Sequence, residues 1–177
     1  LKVLNKQANY FHYILFAVWI IGTIIAAIYF ISARLVMFDP DGKLKGMDGN
    51  DIMTALVNSA VLKDKTLSNT IIHFSDSNCR CAANSEEHKL LISTQAEQDG
   101  FNVLNLSISN SISHIIPSTP SALIIDAKGK LIYFGPYSEG LDCSSSNSLI
   151  KIVLDNYKKG YNAKLILAQT KGCYCNV

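Results

Sequence analysis

Beyond residue 36 this sequence has no surplus of positive charge. The chain of 177 residues carries 16 Lys+Arg against 14 Asp+Glu. Setting aside Lys2, Lys6 and Arg34 leaves 13 basic residues against 14 acidic ones, a net of −1. No basic stripe remains to neutralise phosphates, which excludes a nucleic-acid-binding role. Self-similarity at the usual repeat periods is also missing, which excludes solenoid and propeller architectures. Charge is absent altogether from Tyr13 to Ala33, a run of 21 residues broken only by Gly22, Thr23 and Ser32.

That uncharged run is the first positive feature. As a helix it spans roughly 32 Å, about the thickness of a bilayer core. Tyr10, Phe11 and Tyr13 stand at its start, where aromatic belts form, and Trp19 within it is suited to lipid contact. A cleaved signal peptide is the competing reading. Its apolar region is usually shorter, and Ile31-Ser32-Ala33 is a weak cleavage site, so a retained anchor is expected. The expected organisation is a short cytoplasmic leader over 1–12, a transmembrane anchor over 13–36, a linker with a helix over 37–69, a core over 70–160 and an extension over 161–177. Basic residues flank both sides of the span (Lys2 and Lys6; Arg34, Lys43 and Lys45), so the positive-inside count does not orient it. A short leader before an anchor commonly exports the downstream chain. Five cysteines also suit an oxidising compartment. The expectation is a single-pass protein of the inner (cytoplasmic) membrane with its soluble part periplasmic or otherwise extracytoplasmic.

Past the anchor, Phe38-Asp-Pro-Asp-Gly-Lys43 is a turn, its resemblance to a calcium loop spoiled by a misplaced Gly and a missing closing acid. The pattern predicts a helix over 48–62, capped by Asp48 or Asn50, with Ile52, Leu56 and Val57 inward. It predicts a strand over 71–74 and a helix over 81–99 with Leu90, Leu91 and Ala96 inward and His88 in solvent. Gly100 ends that helix. A strand comes next over 102–108, then a polar loop. Residues 121–125 and 131–135 form an antiparallel hairpin around Ala127-Lys128-Gly129. A helix over 149–158 takes its cap from 144–148, and 163–168 is one more short strand.

Chemistry concentrates at Thr70-Ile-Ile-His-Phe-Ser-Asp-Ser-Asn-Cys79-Arg80-Cys81. An apolar β-prone run enters a polar turn carrying two cysteines, and a helical pattern begins at once. A helix N-terminus and a neighbouring Arg80 both favour thiolate over thiol. His73, inside the apolar run, reads as a core histidine before a proton carrier. Asp76 reads as a cap. Cys173 and Cys175 repeat the one-residue spacing near the end of the sequence.

The strand running into a cysteine turn, and the later Ser118-Thr119-Pro120-Ser121-Ala122-Leu123 stretch where a proline opens a strand, resemble the thioredoxin-like superfamily. With the tether, the chain is similar to anchored bacterial thiol–disulfide oxidoreductases of the cytochrome-maturation type. The resemblance covers residues 50–160. It implies an α/β, thioredoxin-like fold, a central mixed sheet flanked by helices, behind one N-terminal transmembrane helix. It implies protein thiols or disulfides as substrates and no cofactor. Cys79 and Cys81 would be catalytic, and Thr119 and a cis Pro120 would shape the substrate groove.

One departure matters. The superfamily's redox motif usually places two residues between its cysteines; here there is one. In a helix, i and i+2 point about 200° apart. In a strand they share a face at about 6.5–7 Å, the edge of disulfide reach. A Cys79–Cys81 bond therefore needs a bent turn. The motif is either an oxidising or isomerising centre or one that needs a resolving cysteine from elsewhere. Cys143, just past the second hairpin strand, falls at the same end of the sheet as Pro120; it is either that partner or an inert buried cysteine. Cys173 and Cys175 are a second redox pair, or exchange with the first, or join Cys79 and Cys81 in a tetrathiolate zinc or copper site, or lie in a frayed tail with exposed thiols or one structural disulfide. A redox-silent binding module is the remaining alternative.

Overall fold

The computed structural model describes residues 2–63, 65, 67–140 and 148–177, with side chains from residue 10 onward. It divides into two units, 1–34 and 35–177. The first is helix α1 (Lys2–Ser32). Its stretch Tyr10–Ser32 is long and apolar enough to cross a membrane, as an anchor or as a signal sequence, and none of its side chains is buried in protein.

The second unit is a mixed α/β body. In chain order it holds β1 (Val36–Met37), α2 (Gly49–Val57), β2 (Thr70–Ser75), α3 (Arg80–Asn84), α4 (Glu86–Gln98), β3 (Asn102–Ser107), β4 (Ser118–Thr119), β5 (Ser121–Ile125), β6 (Leu131–Pro136), α5 (Leu149–Lys158), β7 (Leu165–Ile166), β8 (Lys171–Gly172) and β9 (Cys175–Asn176). Five strands form one sheet in the order β3-β2-β5-β6-β7. The outer pairs, β2 with β3 and β6 with β7, are parallel; the inner contacts of β5 are antiparallel. Strands β2, β5 and β6 read as near-continuous apolar runs because both of their faces are covered. Phe38, Ile52, Leu56, Phe74, Leu123 and Phe134 fill one side; Ile71, Ile92, Ala96, Ile124, Ile150 and Leu154 fill the other. Each large apolar side chain among them, once fully buried, contributes about 1.5–3 kcal/mol relative to exposure.

The hairpin stands where the pattern put it, with Ser121 opposite Pro136 and Gly129 at positive φ in the turn. Asp48 caps α2 in a reciprocal box with Asp51. That helix stops at Val57, which is exposed rather than inward. The expected single helix over 81–99 is two, broken at Ser85, whose hydroxyl donates to the Ala82 carbonyl at 2.9 Å. After the break α4 presents His88, Ile92 and Ala96 to the core at i, i+4 and i+8. Leu90 and Leu91 therefore face solvent, and His88 is buried instead of solvated, its ring 5.8 Å from that of Tyr137. The expected strand over 163–168 shrinks to two residues.

Residues 161–177 are built into the body. Their three short strands pair with three different partners, β7 with β6, β8 with β1 and β9 with β4. Tyr174 is buried edge-on against Phe38, and its hydroxyl donates to the Ser138 carbonyl at 2.7 Å. The expected linker over 37–69 likewise packs, with Phe38, Leu44 and Leu62 in the core. Asp39 organises its turn by accepting from the backbone amides of Lys43 and Leu44, both at 2.8 Å.

Candidate functional site

Strand β2 delivers the chain to the turn Asp76-Ser77-Asn78 at one end of the sheet. The Asp76 carboxylate accepts the Asn78 amide at 2.9 Å, and its carbonyl accepts the Cys79 amide at 3.1 Å. Asp76 thus shapes the turn one step ahead of the helix. Cys79 is the residue before α3, with extended backbone, and only 4% of its surface is exposed. Pro120 joins β4 to β5 beside it, and the Thr119–Pro120 peptide is cis. The Cys79 sulfur lies 3.5 Å from the Thr119 carbonyl.

The cysteine pairing differs from a bond within the turn. Cys79 is bonded to Cys175, with Cα atoms 5.8 Å apart, and Cys81 to Cys173, at 5.7 Å. The reason is geometric. A bond between cysteines one residue apart forces the turn to bend sharply, whereas two Cys-x-Cys segments running in opposite directions offer two unforced rungs. The pairing follows from β9, whose Cys175 sits in register with Thr119 on β4 and so directly beside Cys79. Cys143 lies outside the described residues.

The segment bearing Cys173 and Cys175 is held by more than sulfur. Val177 donates its amide to the Pro117 carbonyl at 3.0 Å. Ser118 donates to the Phe38 carbonyl at 2.6 Å and pairs with the Asn176 side chain at 2.9 Å. Lys43 donates to the carbonyls of Ser113, Ile116 and Val177 at 2.8, 3.3 and 2.5 Å. Gly172 is buried against the Tyr174 ring where a Cβ would sit 2.5 Å from the ring. No local pattern marks Lys43 as a latch, because its partners lie 70 to 134 residues away.

On another side of Cys79 opens a polar cleft of about 270 Å³. Cys79 and Pro120 line it with Asp76, Ser85, Glu86 and Lys89. Lys89 pairs with Glu86 at 2.8 Å across this wall. In the sequence these two residues look like an ordinary charged helix face, and nothing there points to a cleft.

His73 stands behind the turn and is fully buried. Its Nδ1 is 2.6 Å from the Tyr137 hydroxyl and its Nε2 3.2 Å from Ser93 Oγ. Ser93 uses its own proton on the Lys89 carbonyl at 2.8 Å. Ser93 therefore accepts, which puts the imidazole proton on Nε2 and leaves Nδ1 to accept from Tyr137. Burial, then the charges of Lys89 and His88, lowers the His73 pKa to about 3. Burial also raises Tyr137 well above its ordinary value. His73 is thus a neutral, satisfied core group at physiological pH rather than a proton carrier.

The sulfurs of Cys79, Cys81 and Cys175 all lie within 4.8 Å of one another. Bonded as disulfides they carry no thiolate and offer a soft metal little. Only a reduced centre would present a thiolate cluster. No curated protein and no solved structure matches the chain. A family profile does, over residues 51–177, a span that takes in the Cys79 turn, Pro120 and the segment bonded to them. The chain therefore belongs to the family described as "Domain of unknown function (DUF6436)".

Proposed function

We propose that this chain is a membrane-anchored thiol–disulfide oxidoreductase on a thioredoxin-like scaffold, akin to the anchored bacterial members of that superfamily. The observation that carries the reading is the ladder of two disulfides at the end of the sheet. It joins Cys79 and Cys81 to Cys175 and Cys173, with Pro120 alongside and an open polar cleft against Cys79. The β-α-β-loop-β-β-α order of the body supports the scaffold. Two disulfides suit an oxidising setting, consistent with a periplasmic or other extracytoplasmic body on an inner-membrane anchor.

The reaction balances as a two-electron exchange. A substrate thiolate attacks one sulfur of the Cys79–Cys175 bond, which breaks, and a mixed disulfide forms. A second substrate thiolate displaces the enzyme sulfur. The substrate leaves as a disulfide, and Cys79 and Cys175 carry the two protons as thiols. Run backwards, the same steps reduce a protein disulfide. The test is titration of the full chain in detergent against glutathione, with alkylation of the freed thiols, alongside insulin reduction and dithiol-peptide oxidation. The expected result is loss of exchange in Cys79→Ser. Activity equal to the unaltered protein in both assays sinks the reading.

The approach of three sulfurs within 4.8 Å favours a second reading for the reduced state, a thiolate site for Cu(I) or zinc formed by Cys79, Cys81, Cys173 and Cys175. Elemental analysis of protein purified under reducing conditions decides it: about one metal per chain supports the site, and a metal-free chain with no thiolate–metal absorption removes it.

A further inference from the structure

The two disulfides are not independent features of the surface. They are adjacent rungs between two short segments, one residue apart on each side. The Cys79–Cys175 rung borders the polar cleft through Cys79, which lines it though only 4% exposed, and its partner Cys175 is half-buried. Cys81 and Cys173 are half-buried and neither lines that cleft. The sulfurs of Cys79 and Cys175 both approach the Cys81 sulfur to within 4.8 Å.

We infer that the two rungs form an internal disulfide relay, in which reduction at the Cys79–Cys175 rung is passed to Cys173. This rests on the thiol-exchange reading above and extends it to Cys81 and Cys173. The step is isoelectronic. Once a substrate dithiol has reduced Cys79–Cys175, the thiolate of Cys175 attacks the Cys81 sulfur. A Cys81–Cys175 bond forms and the Cys81–Cys173 bond breaks. Cys173 leaves as a thiolate and takes up the proton that the attacking thiol released. No further oxidant or reductant is needed. The chain has then moved a thiol from the cleft to a second position, and with both rungs opened it holds four electrons.

The fold supplies the condition such a relay needs, which is that the freed thiol stays where it was. Opening the first rung leaves the second in place. It also leaves β8 paired with β1 and β9 with β4, Tyr174 buried and Lys43 bonded to the Val177 carbonyl. The attacking sulfur is held beside its target, so attack is intramolecular and outcompetes dilute external thiols. Cys79 has a resting partner in its thiol form, the Thr119 carbonyl 3.5 Å away. Such attack favours sulfurs that are near, in line and in thiolate form, and proximity is what the ladder provides.

The test uses the full chain in detergent. It receives one equivalent of dithiothreitol, is quenched with N-ethylmaleimide after increasing delays, and is mapped by mass spectrometry. The expected result in the two-electron-reduced protein is a shift of label with time, from Cys79 and Cys175 at the shortest delay to Cys173. In Cys79→Ser, Cys81 should be found bonded to Cys175 in some molecules and to Cys173 in others, with label on the complementary cysteine. Label confined to Cys79 and Cys175 at every delay, or Cys81 bonded solely to Cys173 in the variant, overturns the relay. Its failure is distinct from failure of the function. A chain that exchanges with protein dithiols but never labels Cys173 keeps the first and loses the second. A chain that shifts label internally yet does not act on insulin or dithiol peptides does the reverse.

Discussion

Removing both disulfides should cost far more than the sum of removing each alone. The bonds close nearly the same loop, with sequence separations of 96 and 92. In the chain-entropy account, closing a loop of that length stabilises a fold by about 4.7 kcal/mol. Once one bond is present, the other closes only a small ring made of Cys79-Arg80-Cys81 and Cys173-Tyr174-Cys175. A ring of about six residues is worth about 2 kcal/mol on the same scale. Replacing Cys79 and Cys175 by Ala, or Cys81 and Cys173 by Ala, should therefore each cost about 2 kcal/mol, because the surviving bond still restrains the long loop. Replacing all four should cost about 7 kcal/mol, an excess of about 3 kcal/mol over the two pairs summed. Urea unfolding of the full chain in detergent, followed by tyrosine fluorescence, gives the three differences from midpoints at a common slope. A fourfold variant that loses no more than the sum would show instead that each bond acts through its own local contacts.

The buried His73 makes stability depend on pH with a definite sign. Its folded pKa of about 3 lies below the ordinary 6.5. Between those values the unfolded chain binds the extra proton. This contribution is therefore full above pH 6.5 and is lost as pH falls towards 3, at up to about 1.4 kcal/mol per unit. His73→Gln should flatten the stability profile between about pH 6.5 and 4.5, and a profile parallel to that of the unaltered protein removes His73 as its source. Gly172→Ala drives a Cβ into the Tyr174 ring, at 2.5 Å, and should cost about 1–3 kcal/mol through overpacking. The same change should loosen the segment carrying Cys173 and Cys175, read as faster reduction of both disulfides by dithiothreitol. Unchanged reduction rates would show that Tyr174 does not seat the segment.

Much of the secondary structure was legible because local signals agreed. The uncharged run, the Asp48 cap, the Gly100 stop, the apolar β2 and the hairpin around Gly129 are each set by neighbouring residues acting on the backbone. Departures arose where long-range packing chose between local options. Leu90 and Leu91 look as suited to burial as Ile92, but the break at Ser85 rotated the helix so that His88 took the inward place, beside Tyr137. The short strands β1, β4, β8 and β9 carry almost no local signal; each exists because a partner far along the chain supplies its hydrogen bonds.

Hydrophobic pattern and turn chemistry are enough to put a pair of cysteines at a strand-to-helix turn and a proline at the head of a later strand, since both are set by residues close along the chain. Which sulfurs meet is a matter of long-range pairing. One-residue spacing leaves several bonds open, and the choice fell to the edge of β4, whose backbone groups draw Cys175 into register with Thr119 and so bring Cys173 to Cys81.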